Sequence, residues 1–170
     1  MSSEIDREAL IGELFLEIRR YQNAQDEFDD AASERLGINR TDQRCMDILD
    51  MHGQMTAGQL AAASGLSTGA VTTLLDRLER AGYLRRVRDT VDRRRVLVEL
   101  APEARKRAGE IWGPIAEEAG ERLVRYSDDE LVFLRDFMTE SREFLARHLA
   151  RIKEQSPARV SRRRARKEEA

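Results

Sequence analysis

The sequence predicts a mainly α protein with one small β-hairpin, and three observations carry that prediction. Apolar residues recur at helical period over most of the chain. A single pair of short alternating runs, YLRRVR and VLVEL, sits in the middle. The composition, 36% charged with only 5% aromatic residues, describes helices with strongly solvated faces. At 170 residues and 41% apolar content, the chain suffices for one core with helical extensions.

Residues from about Ile5 to Leu36 read as one long helix. Leu10, Ile11, Leu14, Phe15, Ile18 and Tyr21 keep a 3.6-residue period that Phe28, Ala32 and Leu36 extend, and Gly37 stops it. A helix this long buries too little of itself in a chain of this size, so it is expected to reach another subunit. Thr41 is expected to cap the next helix, TDQRCMDILDMHG, which places Cys45, Ile48 and Leu49 on an apolar face and ends at Gly53. A thiol on such a face reads as packing, and a lone cysteine has no second thiol to resolve an oxidised state. It also excludes an internal disulfide and suggests a reducing compartment.

The stretch 55–100 is what the rest of the chain serves. Thr56 caps a short helix that Gly65 ends in a left-handed conformation. Ser67 caps a second helix running to about Ala81, in which Val71, Leu74, Leu75 and Leu78 form one apolar stripe. The opposite face carries Thr68, Gly69, Thr72, Thr73, Asp76, Arg77 and Arg80: short hydroxyls and arginine donors with no large apolar residue, suited to the edges of base pairs in a groove. Ala61, Gly65 and Val71 have the spacing that a tight helix-turn-helix crossing requires, although any close helical hairpin also tolerates small residues there. In the hairpin that follows, Val96, Val98 and Leu100 are expected to alternate inward, and the loop DTVDRR is crowded with charge. Asp92, two residues before Arg94, is expected to hold that guanidinium in a fixed pose for a narrow minor groove.

Pro102 to about Tyr126 reads as a second long helix, with a kink expected at Gly113-Pro114. Ser127-Asp-Asp-Glu130 is a capping box opening a final helix through Ile152, whose apolar stripe exceeds what one protomer covers. The stretch 153–170, with RVSRRRARK, is predicted to be a basic, disordered tail.

The formal net charge of −2 hides an asymmetry. Residues 1–40 hold ten acids against five arginines, a net −5, whereas 77–107 hold eleven bases against five acids, a net +6. Positive charge therefore lies on the candidate reading head, where phosphates require it.

The segment TAGQLAAASGLSTGAVTTLLDRLERAGYLRR, followed by D-x-x-D-R-R-R-V-L-V-E-L, resembles the winged helix-turn-helix core of the MarR family of bacterial transcriptional regulators. By motif the resemblance covers about Thr41 to Ala104, and the flanking helices agree in order and length. It implies a homodimer with interlocked N- and C-terminal helices, each protomer placing one helix in a major groove and its hairpin in the adjacent minor groove. It also implies a small aromatic or amphipathic effector. Where the family often has Leu-Thr entering the next helix, this chain has Leu100-Ala101, a weaker cap followed by Pro102.

The domains expected are 1–40, an N-terminal dimerisation helix; 41–101, a winged helix-turn-helix DNA-binding domain; 102–152, C-terminal dimerisation helices; and 153–170, the tail. The DNA-contacting candidates are Thr56, Ser67, Thr68, Gly69, Thr72, Thr73, Arg77, Arg86, Asp92, Arg93 and Arg94, with Arg77 expected on the DNA backbone. Tyr21, His52 and Trp112 are candidates for an effector site, each weighed against a core or surface role. The function read is a cytoplasmic, sequence-specific double-stranded DNA-binding regulator, a repressor acting as a homodimer on a palindromic operator. A ligand-independent winged-helix module for protein interaction or DNA architecture stays open. No phosphate loop, nucleophile elbow or His-centred acid–base group is legible, so no catalytic residue, cofactor or metal is expected, and no apolar run approaches the length of a membrane span.

Overall fold

The computed structural model describes residues 6–155. Its elements are α1 (Arg7–Leu36), α2 (Arg40–His52), α3 (Ala57–Ser64), α4 (Thr68–Arg80), β1 (Leu84–Arg88), β2 (Val96–Leu100), α5 (Pro102–Leu123) and α6 (Asp128–Gln155). Contacts divide the chain into two compact units that meet between Ile115 and Ala116.

In the first unit, Asp6 opens α1 by accepting from the N–H groups of Glu8 and Ala9, and Gly37 closes it at φ +67°. The cap of α2 differs from expectation: it is Asn39, not Thr41. Asn39 accepts from the Asp42 N–H at 2.9 Å, and Asp42 accepts from the Asn39 N–H at 3.4 Å. Thr41 has Arg44 three residues on, which cannot return such a bond, whereas Asn39 has Asp42. Thr56 and Gln59 form the same reciprocal box at α3, and Gly65 ends that helix at φ +74°. Ser67 Oγ accepts from the Ala70 N–H and opens α4.

These caps aim the apolar faces of α2, α3 and α4 at one core. Cys45, Leu49, Leu60, Val71 and Leu78 are each at most 1% exposed, and Leu74 and Leu75 lie beside them. Full burial of side chains this size stabilises the fold by about 1.5–3 kcal/mol each. Strands β1 and β2 pair antiparallel from Leu84 opposite Leu100 to Arg88 opposite Val96. Met55 adds a two-bond bridge to Val98 at 3.1 and 2.7 Å, fastening the start of α3 to the hairpin. Val98 and Leu100 point inward as expected, but Val96 is 52% exposed. It stands opposite Arg88 at the loop end of the ladder, beyond the reach of the core. Leu97 is buried instead, paired with Val87 on the other face.

Tyr83 does not join the strand. Its ring is buried in the core, its hydroxyl donates to the Leu36 carbonyl at 2.6 Å, and Arg107 lies 5.3 Å over the ring. The last turn of α1 is thereby tied to the residues just after α4. Helix α5 opens at Pro102, the Ala101 carbonyl accepting from the Ala104 and Arg105 N–H groups, and it stays helical through Pro114. It ends at Leu123, three residues before the Tyr126 expected.

In the second unit, Ser127 and Glu130 form the anticipated capping box. Helix α6 continues to Gln155, three residues into the stretch read as tail; the rest of that expectation lies outside the described residues. No residue of α6 is buried, and Phe133, Phe144, Leu145 and Leu149 are all half-exposed or more. On α1, Leu10, Leu14 and Phe15 are likewise exposed, Phe15 at 68%. Among the described residues no helix is long and apolar enough to cross a membrane, and no cluster of three metal-ligating side chains occurs.

Candidate nucleic-acid interface

Helix α4 and the β1–β2 hairpin present the residues singled out by the sequence. The apolar stripe of α4 is buried, so its other face must be solvent-facing, and Ser67, Thr68, Gly69, Thr72, Thr73, Arg77 and Arg80 are all exposed. The Thr72 hydroxyl donates to the Thr68 carbonyl at 3.0 Å and the Thr73 hydroxyl to the Gly69 carbonyl at 3.2 Å. With their protons committed to the helix, these hydroxyls can offer a partner only their remaining acceptor capacity. A Cβ at Gly69 would meet nothing within 4 Å, so the protein itself does not require glycine there. Thr56 is differently placed: its hydroxyl accepts from the Gln59 N–H and donates to the Gln59 side chain, both within the α3 cap.

The arginines separate into two groups. Arg77 makes a bidentate pair with Asp42 of α2, Nε to Oδ2 at 3.1 Å and Nη2 to Oδ1 at 2.5 Å. Asp42 is 1% exposed, and its hydrogen bond raises the already high pKa of the guanidinium. A phosphate contact by Arg77 therefore competes with an internal partner. Arg86 of β1 bridges Asp76, at 2.6 Å, and Glu79 of α4, and these hydrogen bonds raise its pKa too. Arg85 pairs with Glu99, which also accepts from Gln54; these bonds hold the Glu99 carboxyl below the usual range. Arg95 lies 3.7 Å from Asp89. In contrast, among the described residues the exposed side chains of Arg88, Arg93 and Arg94 have no carboxylate partner.

The hairpin loop is shaped by its two acids. Asp89 accepts from the N–H groups of Val91 and Asp92, which lowers its pKa, and Arg95 donates its N–H to the Asp92 carbonyl at 2.9 Å. The expected Asp92–Arg94 contact exists in a different form. Asp92 accepts from the backbone N–H of Arg94 at 3.0 Å and does not hold its guanidinium. At a separation of two residues, the main-chain donor lies closer to the carboxylate than the end of a long side chain does. Asp92 thus fixes the loop and leaves the Arg94 guanidinium exposed.

The three effector candidates are not gathered into one site. Tyr21 is 64% exposed on α1, and His52 is the exposed last residue of α2. Trp112 is half-buried against the core and meets Phe28 edge-on, with centroids 6.2 Å apart. A cleft of about 400 Å³ lined by Asp29, Arg40, Arg44, Asp47 and Ser64 includes none of the three. Cys45 is fully buried, and burial pushes its thiol pKa up. Asp42, Arg40 and Tyr83 carry no sequence pattern that marks them, because their partners lie ten to forty-seven residues away. The acidic residue at the third position of α2 was the one local sign available.

The family model described as MarR family matches residues 38–96. The HTH-type transcriptional regulator YcgE of Bacillus subtilis (strain 168) is 38% identical over 127 residues, covering 75% of this chain and 82% of that protein. A second Bacillus subtilis regulator of this type, YfiV, is 33% identical over 72 residues, 42% of this chain and 45% of its own length. Among solved structures, a MarR family protein from Bacillus stearothermophilus superposes with a TM-score of 0.61 at 21% identity, covering 82% of this chain and 98% of that one. A mutant of S. aureus MepR bound to an oligodeoxyribonucleotide superposes with a TM-score of 0.53 at 24% identity, covering 78% and 97%.

Proposed function

From the premise that this chain belongs to the MarR family of HTH-type transcriptional regulators, we propose that it is a sequence-specific repressor that binds a palindromic operator as a homodimer. The observation that carries this reading is the division of the arginines. Arg88, Arg93 and Arg94 are exposed on the hairpin with no carboxylate partner among the described residues, beside a helix whose outer face carries short hydroxyls and glycine ahead of Asp76, Arg77 and Arg80. Unpaired guanidinium groups on one short hairpin gain when a polyanion binds.

In this reading α4 enters a major groove. Thr68, Gly69, Thr72 and Thr73 approach the base edges, where hydroxyl acceptors and methyl groups meet amino groups and thymine methyls. The Ser67 end of α4 lies near a phosphate, which its N-terminal N–H groups favour. Arg94, with Arg93 beside it, enters the adjacent minor groove while Asp92 fixes the loop that carries them. Arg77 and Arg86 serve by holding α4 against α2 and β1. The span 41–101 is the DNA-binding domain. The helices of 1–40 and 102–152 supply dimerisation, which would cover the exposed apolar residues on α1 and on α6.

A small aromatic or amphipathic effector belongs to the same proposal, with the half-buried Trp112–Phe28 pair offering the aromatic surface. A thermal-shift screen with aromatic acids checks it, and the absence of any stabilising compound favours a ligand-independent regulator. For the main reading, the protein is used to select fragments from its own genome, followed by gel-shift titration of those recovered. Enrichment of promoter fragments sharing a palindrome supports the proposal; fragments with no common sequence contradict it.

A further inference from the structure

The first turn of α2 is held from two sides. Arg40, its first residue, reaches three carboxylates of α1: Asp26 at 3.1 Å, Asp29 at 2.9 Å and Asp30 at 3.1 Å, each through a different nitrogen. Two residues on, Asp42 takes Arg77 of α4. Beside them Gln43 donates to Asp29 at 3.0 Å and accepts from the Ser33 hydroxyl, with Ser33, Asp42 and Gln43 all buried. Arg86 then ties α4 to β1 through Asp76 and Glu79. A continuous run of polar contacts therefore leads from α1, through one turn of α2, to the reading helix and the hairpin.

We infer that Arg40 is a positioning residue that fixes the angle between α1 and the reading head, and thereby sets the half-site spacing that two joined copies accept. The inference rests on the DNA-binding dimer proposed above. A planar guanidinium engaging three acids by three nitrogens holds an orientation, which a point charge does not. Without it, Asp26, Asp29 and Asp30 repel one another on adjacent turns. The lever is long: from Asp29 back to Arg7, α1 spans about 33 Å. A tilt of roughly five degrees at the clasp then moves the far end by about 3 Å, close to the ~3.4 Å between base pairs. Because Arg40, Asp26 and Asp30 are well exposed, the clasp adds little to global stability, and its effect falls on geometry.

The test selects binding sites from a random-sequence duplex library with full-length protein, comparing wild type, Arg40→Gln, Arg40→Lys and the double variant Asp26→Asn with Asp30→Asn. Sequencing reads both the half-site and the distance between its two copies. Wild type should return one spacing. Arg40→Gln should return the same half-site with spacings spread over at least one base pair either side, and Arg40→Lys should recover only part of the wild-type preference. If Arg40→Gln does not fold, the double variant, which changes two exposed carboxylates, carries the comparison. A single wild-type spacing in the neutralised variants overturns the inference. A wild-type pool without paired half-sites overturns the DNA-binding reading beneath it.

Discussion

Arg77 and Arg94 carry the same charge on the same basic stretch, yet their surroundings give them different work. Arg94 is exposed and without a carboxylate partner, so Arg94→Ala should weaken operator binding by about tenfold or more and lower the salt slope by about one. Arg77 is bound to the buried Asp42. Arg77→Ala should leave the salt slope near wild type but lower unfolding stability by about 1–3 kcal/mol, because a desolvated carboxylate loses its partner. Fluorescence anisotropy across salt concentrations, with thermal unfolding alongside, separates the two. Cys45 offers a third contrast. Alkylation needs the thiolate, and burial both raises the thiol pKa and blocks access. Iodoacetamide at pH 8 should therefore leave the native protein unmodified over a period in which the denatured chain reacts fully; fast native reaction would contradict a packing role for this thiol.

At the scale of elements, α4 shows a residue whose cost and use can be told apart. Gly69 lies in a helix with open space where its Cβ would be, so Gly69→Ala should stabilise the fold by about 0.5 kcal/mol. If the face meets DNA closely, the same methyl should reduce operator affinity several-fold. A variant that is more stable and binds equally well would remove Gly69 from the interface. Much of this element was legible in the sequence because its signals are local: a cap at Ser67, four apolar residues at helical spacing, a polar remainder. The cap at Thr56 and the capping box at Ser127 were legible for the same reason. Asn39 was missed because Thr41 is as good a cap by type, and only the partner three residues on distinguishes them. Val96 was misplaced because alternation assigns a face to a residue without saying where the core ends.

At the scale of the molecule, the long flanking helices were legible as helices, and their exposed apolar faces are what a second copy would cover. Replacing Leu14 and Phe15 together by Glu, both exposed and outside the core cluster, should give the mass of one chain by sedimentation where wild type gives two, with the winged domain still folded. The polar ties that join α1, α2 and α4 were not legible. Arg40, Asp42 and Tyr83 find partners through the fold, and no periodicity or motif encodes contacts across such separations. Sequence-specific binding by two copies is read out most directly by an anisotropy titration of the selected palindromic duplex against a shuffled duplex of equal length. Two chains should bind per duplex, more tightly to the palindrome by roughly a thousandfold or more and with affinity falling steeply as salt rises. Equal affinity for the two duplexes, or saturation at one chain per palindrome, would contradict it.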